Sequence, residues 1–237
     1  MGSHGKSNGI PAHRVPGESP PDPNPNQSGV GVGGSPSPCS SPMKVEAPRT
    51  LVHYWKFLVA GLVEQGQTGA LIPSQRFLVK RMISPVPRDY SGVIVELGAG
   101  TGSLTTRLAA RCPNARIMAC EINPELARLL EQDLAARNLN SRVHVIADAA
   151  EEYLARLGPS SQRPGFVISG IPLGTLPGDV VTRLVAAIRE ALPPGGMYIQ
   201  FQHSLIDRKR VMEAFSSVRT VPVLLNVPPA FVYYAQK

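Results

Sequence analysis

Apolar positions along this chain switch between two periods, and the switches mark out its elements. Val93, Ile94, Val95 and Leu97 form a short apolar run interrupted by Glu96, the pattern of a strand covered on both faces of a parallel sheet. Similar runs recur at 115–121, 142–148, 166–170 and 197–201. Between them the spacing lengthens to that of helices, predicted over 101–111, 124–137, 150–157, 179–192 and 207–215. Asn123 supplies a cap for the second of these and Pro124 a first-turn proline. Two further apolar segments, 220–226 and 230–235, flank Val227-Pro-Pro and read as a closing hairpin. Strand and helix thus alternate to the end, which predicts an α/β fold with a mainly parallel sheet. No internal repeat is evident.

The first third of the chain has a different texture. Residues 1–48 hold ten of the 24 prolines, many Gly, Ser and Asn, and no apolar period, so a disordered tail is expected there. Over 49–65, Leu51, Trp55, Leu58 and Leu62 recur at helical spacing, beside Tyr54 and Phe57 and near Arg49, His53 and Lys56. Such a helix suits an anionic membrane surface, and an ordinary helix docked on the core is the other reading. The expected organisation is a tail (1–48), a helical lid and membrane-docking segment (49–90) and a catalytic core (91–237).

Composition narrows the partners. The formal net charge is +7, and the tail's three basic and three acidic residues cancel, so the basic balance belongs to the remainder. Arg76, Lys80, Arg81 and Arg88 form one group and Arg208, Lys209 and Arg210 another, each a solvated face or a site for an anionic partner, lipid or RNA. The tail shows no secretory signal, and the longest apolar run, 57–63, is too short to span a bilayer, so a cytoplasmic protein is expected. Cys39, Cys112 and Cys120 lack paired spacing and read as reduced bystanders, and no metal site is predicted.

The most informative chemistry follows the first strand. Glu96-Leu-Gly-Ala-Gly-Thr-Gly102 places Gly98, Gly100 and Gly102 at alternate positions, where a tight loop lets a ligand approach backbone. The dinucleotide pattern fails because position 103 is Ser, and a P-loop fails because no Gly-Lys-Ser/Thr follows. Strands two and three end in Glu121 and Asp148, although a lone glycine triplet can be only a turn and Asp148 can be only a helix cap. The Glu-x-Gly-x-Gly-x-Gly run with these two acids resembles motif I and its companions in class I S-adenosylmethionine-dependent methyltransferases. That resemblance implies a Rossmann-like seven-stranded sheet with an N-terminal amphipathic helical extension. It implies S-adenosylmethionine as cofactor: the glycines approach its methionine portion, Glu96 supports the loop, Glu121 and Ile122 meet the ribose, and Asp148 and Ala149 meet the adenine.

The fourth strand ends in Ser169-Gly-Ile-Pro-Leu173, where ligands of open α/β sheets meet the protein. With Gly69-Ala-Leu-Ile-Pro-Ser-Gln-Arg-Phe-Leu78, Tyr198-Ile-Gln-Phe201 and Asn226-Val-Pro-Pro-Ala230, it resembles the bacterial phospholipid N-methyltransferases, relatives of the ribosomal RNA adenine dimethylases. The resemblance runs from about residue 50 to the C-terminus. It implies methylation of phosphatidylethanolamine towards phosphatidylcholine at the inner membrane face, with Ser74 and Gln75 in a lid over the cofactor. The acceptor would be gripped by Ser169, Gly170 and Pro172, and His203, at the end of the fifth strand, would take the proton. His203 is equally readable as a surface or hydrogen-bonded residue. The run Gln200-Phe-Gln-His203 departs from the family's Gln-Phe-Thr-Tyr and leaves an ornithine lipid as an alternative acceptor. Leu173 stands where adenine methylases carry an aromatic, so RNA is disfavoured. A membrane-associated cofactor binder without turnover is a more distant alternative.

Overall fold

A computed structural model describes residues 75–157 and 163–237. All of them belong to the unit Glu46–Lys237. The expected tail, the aromatic helix at 49–65 and Ser74 lie outside the described residues. Strands β1 (Val93–Leu97), β2 (Arg116–Cys120), β3 (Val143–Ile146), β4 (Phe166–Ser169), β5 (Met197–Gln202), β6 (Ser217–Val223) and β7 (Ala230–Gln236) form one sheet. Its order is β3-β2-β1-β4-β5-β7-β6. The first five strands are parallel, and β7 is antiparallel to both β5 and β6. Order reverses between β1 and β4, so the loops after these two strands diverge and open a crevice at their carboxyl ends.

Helices cover both faces because alternate strand residues are apolar on both sides. On one face α1 (Gln75–Ile83), α2 (Ser103–Arg111) and α3 (Pro124–Ala136) pack Met82, Leu108, Leu130 and Leu134 against Ile94, Ile117, Ile168 and Ile199. On the other, α4 (Ala150–Arg156), α5 (Gly178–Ala191) and α6 (Arg208–Ala214) pack Leu154, Leu184, Ile188 and Val211 against Val95, Leu97, Val167 and Tyr198. Each fully buried leucine here stabilises the fold by about 2 kcal/mol relative to exposure. α3 begins as its sequence dictates: Asn123 Oδ1 accepts from the N–H groups of Glu125 at 2.9 Å and Leu126 at 3.2 Å, with Pro124 at the first position.

Two expected boundaries are revised. The first helix starts at Ser103, because Gly102 holds φ +79 and completes the loop instead of the helix. β6 spans Ser217–Val223, three residues earlier than the apolar run suggests. Its register with β7 pairs Val221 with Val232 and Val223 with Ala230, leaving Leu224 and Leu225 exposed beyond the last pair. Gln75, assigned to a lid, opens a helix whose Leu78, Val79, Met82 and Ile83 are buried, and Tyr234 Oη donates to Arg81 O at 2.7 Å. The described part of the 49–90 segment is therefore seated on the sheet.

Candidate active site

The glycine loop is shaped by two close approaches and one open space. Gly98 (φ +75) takes its N–H to Cys120 O at 2.9 Å, tying the end of β1 to the end of β2. A Cβ on Gly170 would lie 2.9 Å from Gly98 O, so only glycine lets the β1 and β4 loops touch. Gly100 (φ +55) differs: a Cβ there would meet nothing within 4 Å. That opening, on a backbone only glycine adopts readily, is a cradle at the carboxyl end of β1.

Glu121 closes this cradle from the side. Its side chain is buried, with Oε2 accepting from Gly100 N at 2.7 Å and Oε1 from Asn123 N at 2.9 Å. Charge-assisted bonds of this kind hold the loop to the tip of β2. Glu96 is buried beneath, facing Thr105 on α2, with Glu96 Oε2 and Thr105 Oγ1 both lacking a hydrogen-bond partner. Burial pushes the Glu96 carboxyl up to about 8; proximity to the Thr105 hydroxyl opposes this and the charge of Glu121 adds to it. Glu96 thus carries a proton at neutral pH.

Asp148 turns back on the start of α4, accepting from Ala149 N at 2.8 Å and pairing with Arg156. Burial works to raise its pKa, but the Arg156 guanidinium and the Ala149 N–H outweigh it and hold the carboxyl below its ordinary value. Asp148 is not the cap of α4, since Ala149 holds that position. A cleft is lined by Gly98, Ile122, Asp148 and Ile171 together with Cys120 and Leu184. Of the residues predicted for the cofactor, Gly98, Ile122 and Asp148 line this cleft; of the acceptor loop only Ile171 does, and Ser169, Gly170 and Pro172 do not.

The acceptor loop is fixed from below by a buried polar chain. Ile171 N donates to Ser169 Oγ at 3.2 Å, and Gln200 Nε2 donates to Ile171 O at 2.8 Å and Phe201 O at 2.6 Å. Tyr198 Oη donates to Gln200 Oε1 at 2.6 Å, and burial raises the phenol well above its ordinary range. Pro172 opens a 3-10 turn, Leu173–Thr175, and its carbonyl accepts from Thr175 N at 3.1 Å. His203 lies elsewhere: it is exposed, is absent from the cleft lining, and sits with Nδ1 3.0 Å from Pro229 O.

Residues 94–196 match the family model described as methyltransferase domain. The seven-stranded order and the glycine cradle agree with that match. The chain carries a class I S-adenosylmethionine-dependent methyltransferase domain. Among curated relatives, an ornithine lipid N-methyltransferase of Singulisphaera acidiphila is 29% identical over 169 residues, covering 70% of this chain and 87% of that protein. A release factor glutamine methyltransferase of Koribacter versatilis is 20% identical over 186 residues, covering 68% of this chain and 64% of its own length. The solved precorrin-6y C5,15-methyltransferase of Geobacter metallireducens shares the fold with a TM-score of 0.55 at 18% identity, over 68% of this chain and 88% of that one. S-Adenosylmethionine is the methyl donor of this methyltransferase, and the residues present fit it: an open glycine cradle, an acid at the tip of β2 and a cleft running to Asp148.

Sequence reasoning missed part of the methyltransferase's cleft. Leu184 follows the apolar stripe of α5 that buries Val181, Val185 and Ile188, and nothing local sets it apart from core. Cys120, read as a bystander, lines the cleft one residue before Glu121, and its adjacency to that acid was the available signal. Burial pushes its thiol far up, so it acts there as an apolar wall.

Proposed function

We propose that this methyltransferase transfers methyl groups to the amine of a membrane lipid, an ornithine lipid before phosphatidylethanolamine. The observation that carries the reading is the similarity to an ornithine lipid N-methyltransferase across 87% of that protein's length. It favours the alternative acceptor over the phosphatidylethanolamine expected at first. The acceptor loop supports it: Leu173, where a base-stacking aromatic would stand, is fully buried and offers no platform to a nucleobase.

S-Adenosylmethionine supplies an electrophilic methyl on a sulfonium. In this reading Gly98, Gly100 and Gly102 let its methionine portion approach the backbone, with the protonated Glu96 beneath the loop adding no charge there. Glu121 and Ile122 meet the ribose, and Asp148 and Ala149 the adenine. Glu121 would exchange its bond to Gly100 N for ribose hydroxyls, a trade between acceptor positions it already presents.

The chain's task at the acceptor is to present a neutral amine. A primary amine with a pKa near 10 is neutral in about one molecule in a thousand at pH 7, a deficit of about 4 kcal/mol. The apolar walls given by Ile171, Leu176 and Leu184 disfavour the ammonium, and the Gly170 carbonyl aligns the lone pair. Ser169 acts through the turn it holds, because its hydroxyl is buried under Ile171 N. Pro172 sets the entry of that turn. Methyl transfer from the sulfonium would leave a secondary ammonium whose proton departs to solvent; His203, tied to the Pro229 carbonyl outside the cleft lining, would meet that proton only after it has left the cleft.

The test is transfer of labelled methyl from S-adenosylmethionine to vesicles holding ornithine lipid, phosphatidylethanolamine or neither, with ribosomal RNA as a parallel acceptor. Label in the ornithine lipid spot on a thin-layer plate is expected. Label only in RNA, or in no lipid, would remove the reading.

A further inference from the structure

We propose that the loops after β5 and between β6 and β7 form a membrane-docking surface that presses the acceptor mouth onto an anionic bilayer. This rests on the lipid-amine reading for its purpose but on separate residues for its evidence.

Single exposed apolar side chains are common on any protein. Here they are concentrated. Among the described residues eight large hydrophobics are exposed, and six of them, Leu205, Ile206, Met212, Leu224, Leu225 and Val227, lie in two short segments. Ile206, Leu224, Leu225 and Val227 are 74%, 73%, 65% and 76% exposed, so most of each side chain stands in solvent. The segments belong together. His203 Nδ1 lies 3.0 Å from Pro229 O, Arg208 Nε donates to Thr220 Oγ1 at 3.1 Å, and Tyr233 Oη donates to Ser204 O at 3.1 Å.

Topology gives the patch its direction. β5 runs parallel to β4 and β7 antiparallel to β5, so the end of β5, the end of β6 and the start of β7 share one edge of the sheet. It is the edge at which the Ser169–Leu173 loop emerges. A Cβ on Gly174, within the turn that follows, would lie 3.8 Å from Asp207 Oδ2 and 3.9 Å from Ser204 Oγ. Apolar tips and acceptor loop are neighbours, and a lipid amine could pass from bilayer to cleft without crossing water.

Charge selects the occupant. Between positions 203 and 229 there are four basic residues (Arg208, Lys209, Arg210, Arg219) and two acidic ones (Asp207, Glu213). Asp207 is buried and bonded to Arg210 at 2.8 Å, and Glu213 lies 3.8 Å from Lys209. A cleft of Leu205, Arg208, Lys209, Met212 and Glu213 sets methylene stems beside apolar side chains, the arrangement in which cations reach head groups while carbon enters the acyl boundary. A second copy packed symmetrically through the same patch would bury the apolar tips but set basic rim against basic rim, whereas anionic lipid neutralises it.

The test uses the full chain with Cys39→Ser and a fluorophore sensitive to polarity attached at Val227→Cys; Cys112 and Cys120 are buried. Vesicles of phosphatidylcholine with phosphatidylglycerol should shift its emission to the blue, vesicles of phosphatidylcholine alone much less. A control label at Glu131→Cys on α3 should not move. The unlabelled triple variant Ile206→Ser, Leu225→Ser, Val227→Ser should lose about a hundredfold in vesicle partitioning. It should still methylate a short-chain, water-dispersed acceptor amine as fast as the parent. No shift at position 227 overturns the proposal even if lipid is methylated, and so does a shift accompanied by dimer formation without vesicles. A blue shift without lipid methylation would keep the docking surface and remove the acceptor reading instead.

Discussion

Around β1 and β2 the chain turns its polar groups inward. Glu121 spends both carboxylate oxygens on backbone N–H groups, Gly98 is tied to Cys120, and Glu96 is buried and protonated. Around the ends of β5, β6 and β7 the reverse holds, and leucine, isoleucine and valine stand in solvent. The first region is finished by the protein itself and needs only a small ligand in a preformed cradle. The second is left incomplete, and its apolar tips ask for a surface. Between them lies the Gly98–Gly170 contact, where the loops after β1 and β4 touch backbone to backbone.

Glu121→Ala strikes the first region hardest. It removes the acceptor for Gly100 N and Asn123 N and leaves both donors unsatisfied. Cofactor affinity by calorimetry should fall by about a hundredfold or more, with Glu121→Gln between the two. Near-native binding would detach Glu121 from the cofactor. Gly170→Ala attacks the junction. Its Cβ would lie 2.9 Å from a backbone oxygen that cannot swing away, so thermal melting should reveal a loss of about 1–3 kcal/mol. An unchanged melting temperature would show that the contact is looser than described.

Glu96 gives the first region a pH signature. Its folded pKa lies above the ordinary value of 4.5, at about 8, so the folded state holds an extra proton across that window. Stability therefore falls as pH rises from about 4.5 to about 8, by up to about 1.4 kcal/mol per unit. Glu96→Gln should flatten this slope and raise the melting temperature above pH 7, the new amide being able to donate towards Thr105 Oγ1. A slope that survives the substitution would assign the titration to another group. The smallest effect is expected at His203, outside the cleft lining. His203→Ala breaks only an exposed bond to Pro229 and should lower turnover by about threefold or less at pH 8, where solvent base takes its place. A loss of a hundredfold would move His203 into the catalytic machinery.

The same contrast explains what could be read from the sequence. Asn123 and Pro124 announced α3 because capping is local, involving residues two and three positions apart. The glycine run and its two acids were legible because strand ends and tight turns have their own short-range chemistry. The bond from Gly100 N to Glu121, spanning 21 residues, and the place of Leu184 in the cleft depend on packing that no local pattern encodes. Leu224 and Leu225 misled the strand assignment for the converse reason. Apolar residues were assumed to be buried, whereas pairing with β7 stops at Val223 and leaves them outside.

Steady-state kinetics on vesicle-borne ornithine lipid, with cofactor and lipid concentrations varied in turn, tests the division between the two regions most directly. Glu121→Ala should raise the KM for S-adenosylmethionine and leave the lipid dependence near that of the parent. The triple variant Ile206→Ser, Leu225→Ser, Val227→Ser should raise the apparent KM for vesicle lipid alone. Variants that shift both parameters together, or each other's, would contradict a carboxyl edge divided into a self-contained cofactor cradle and a lipid-facing mouth.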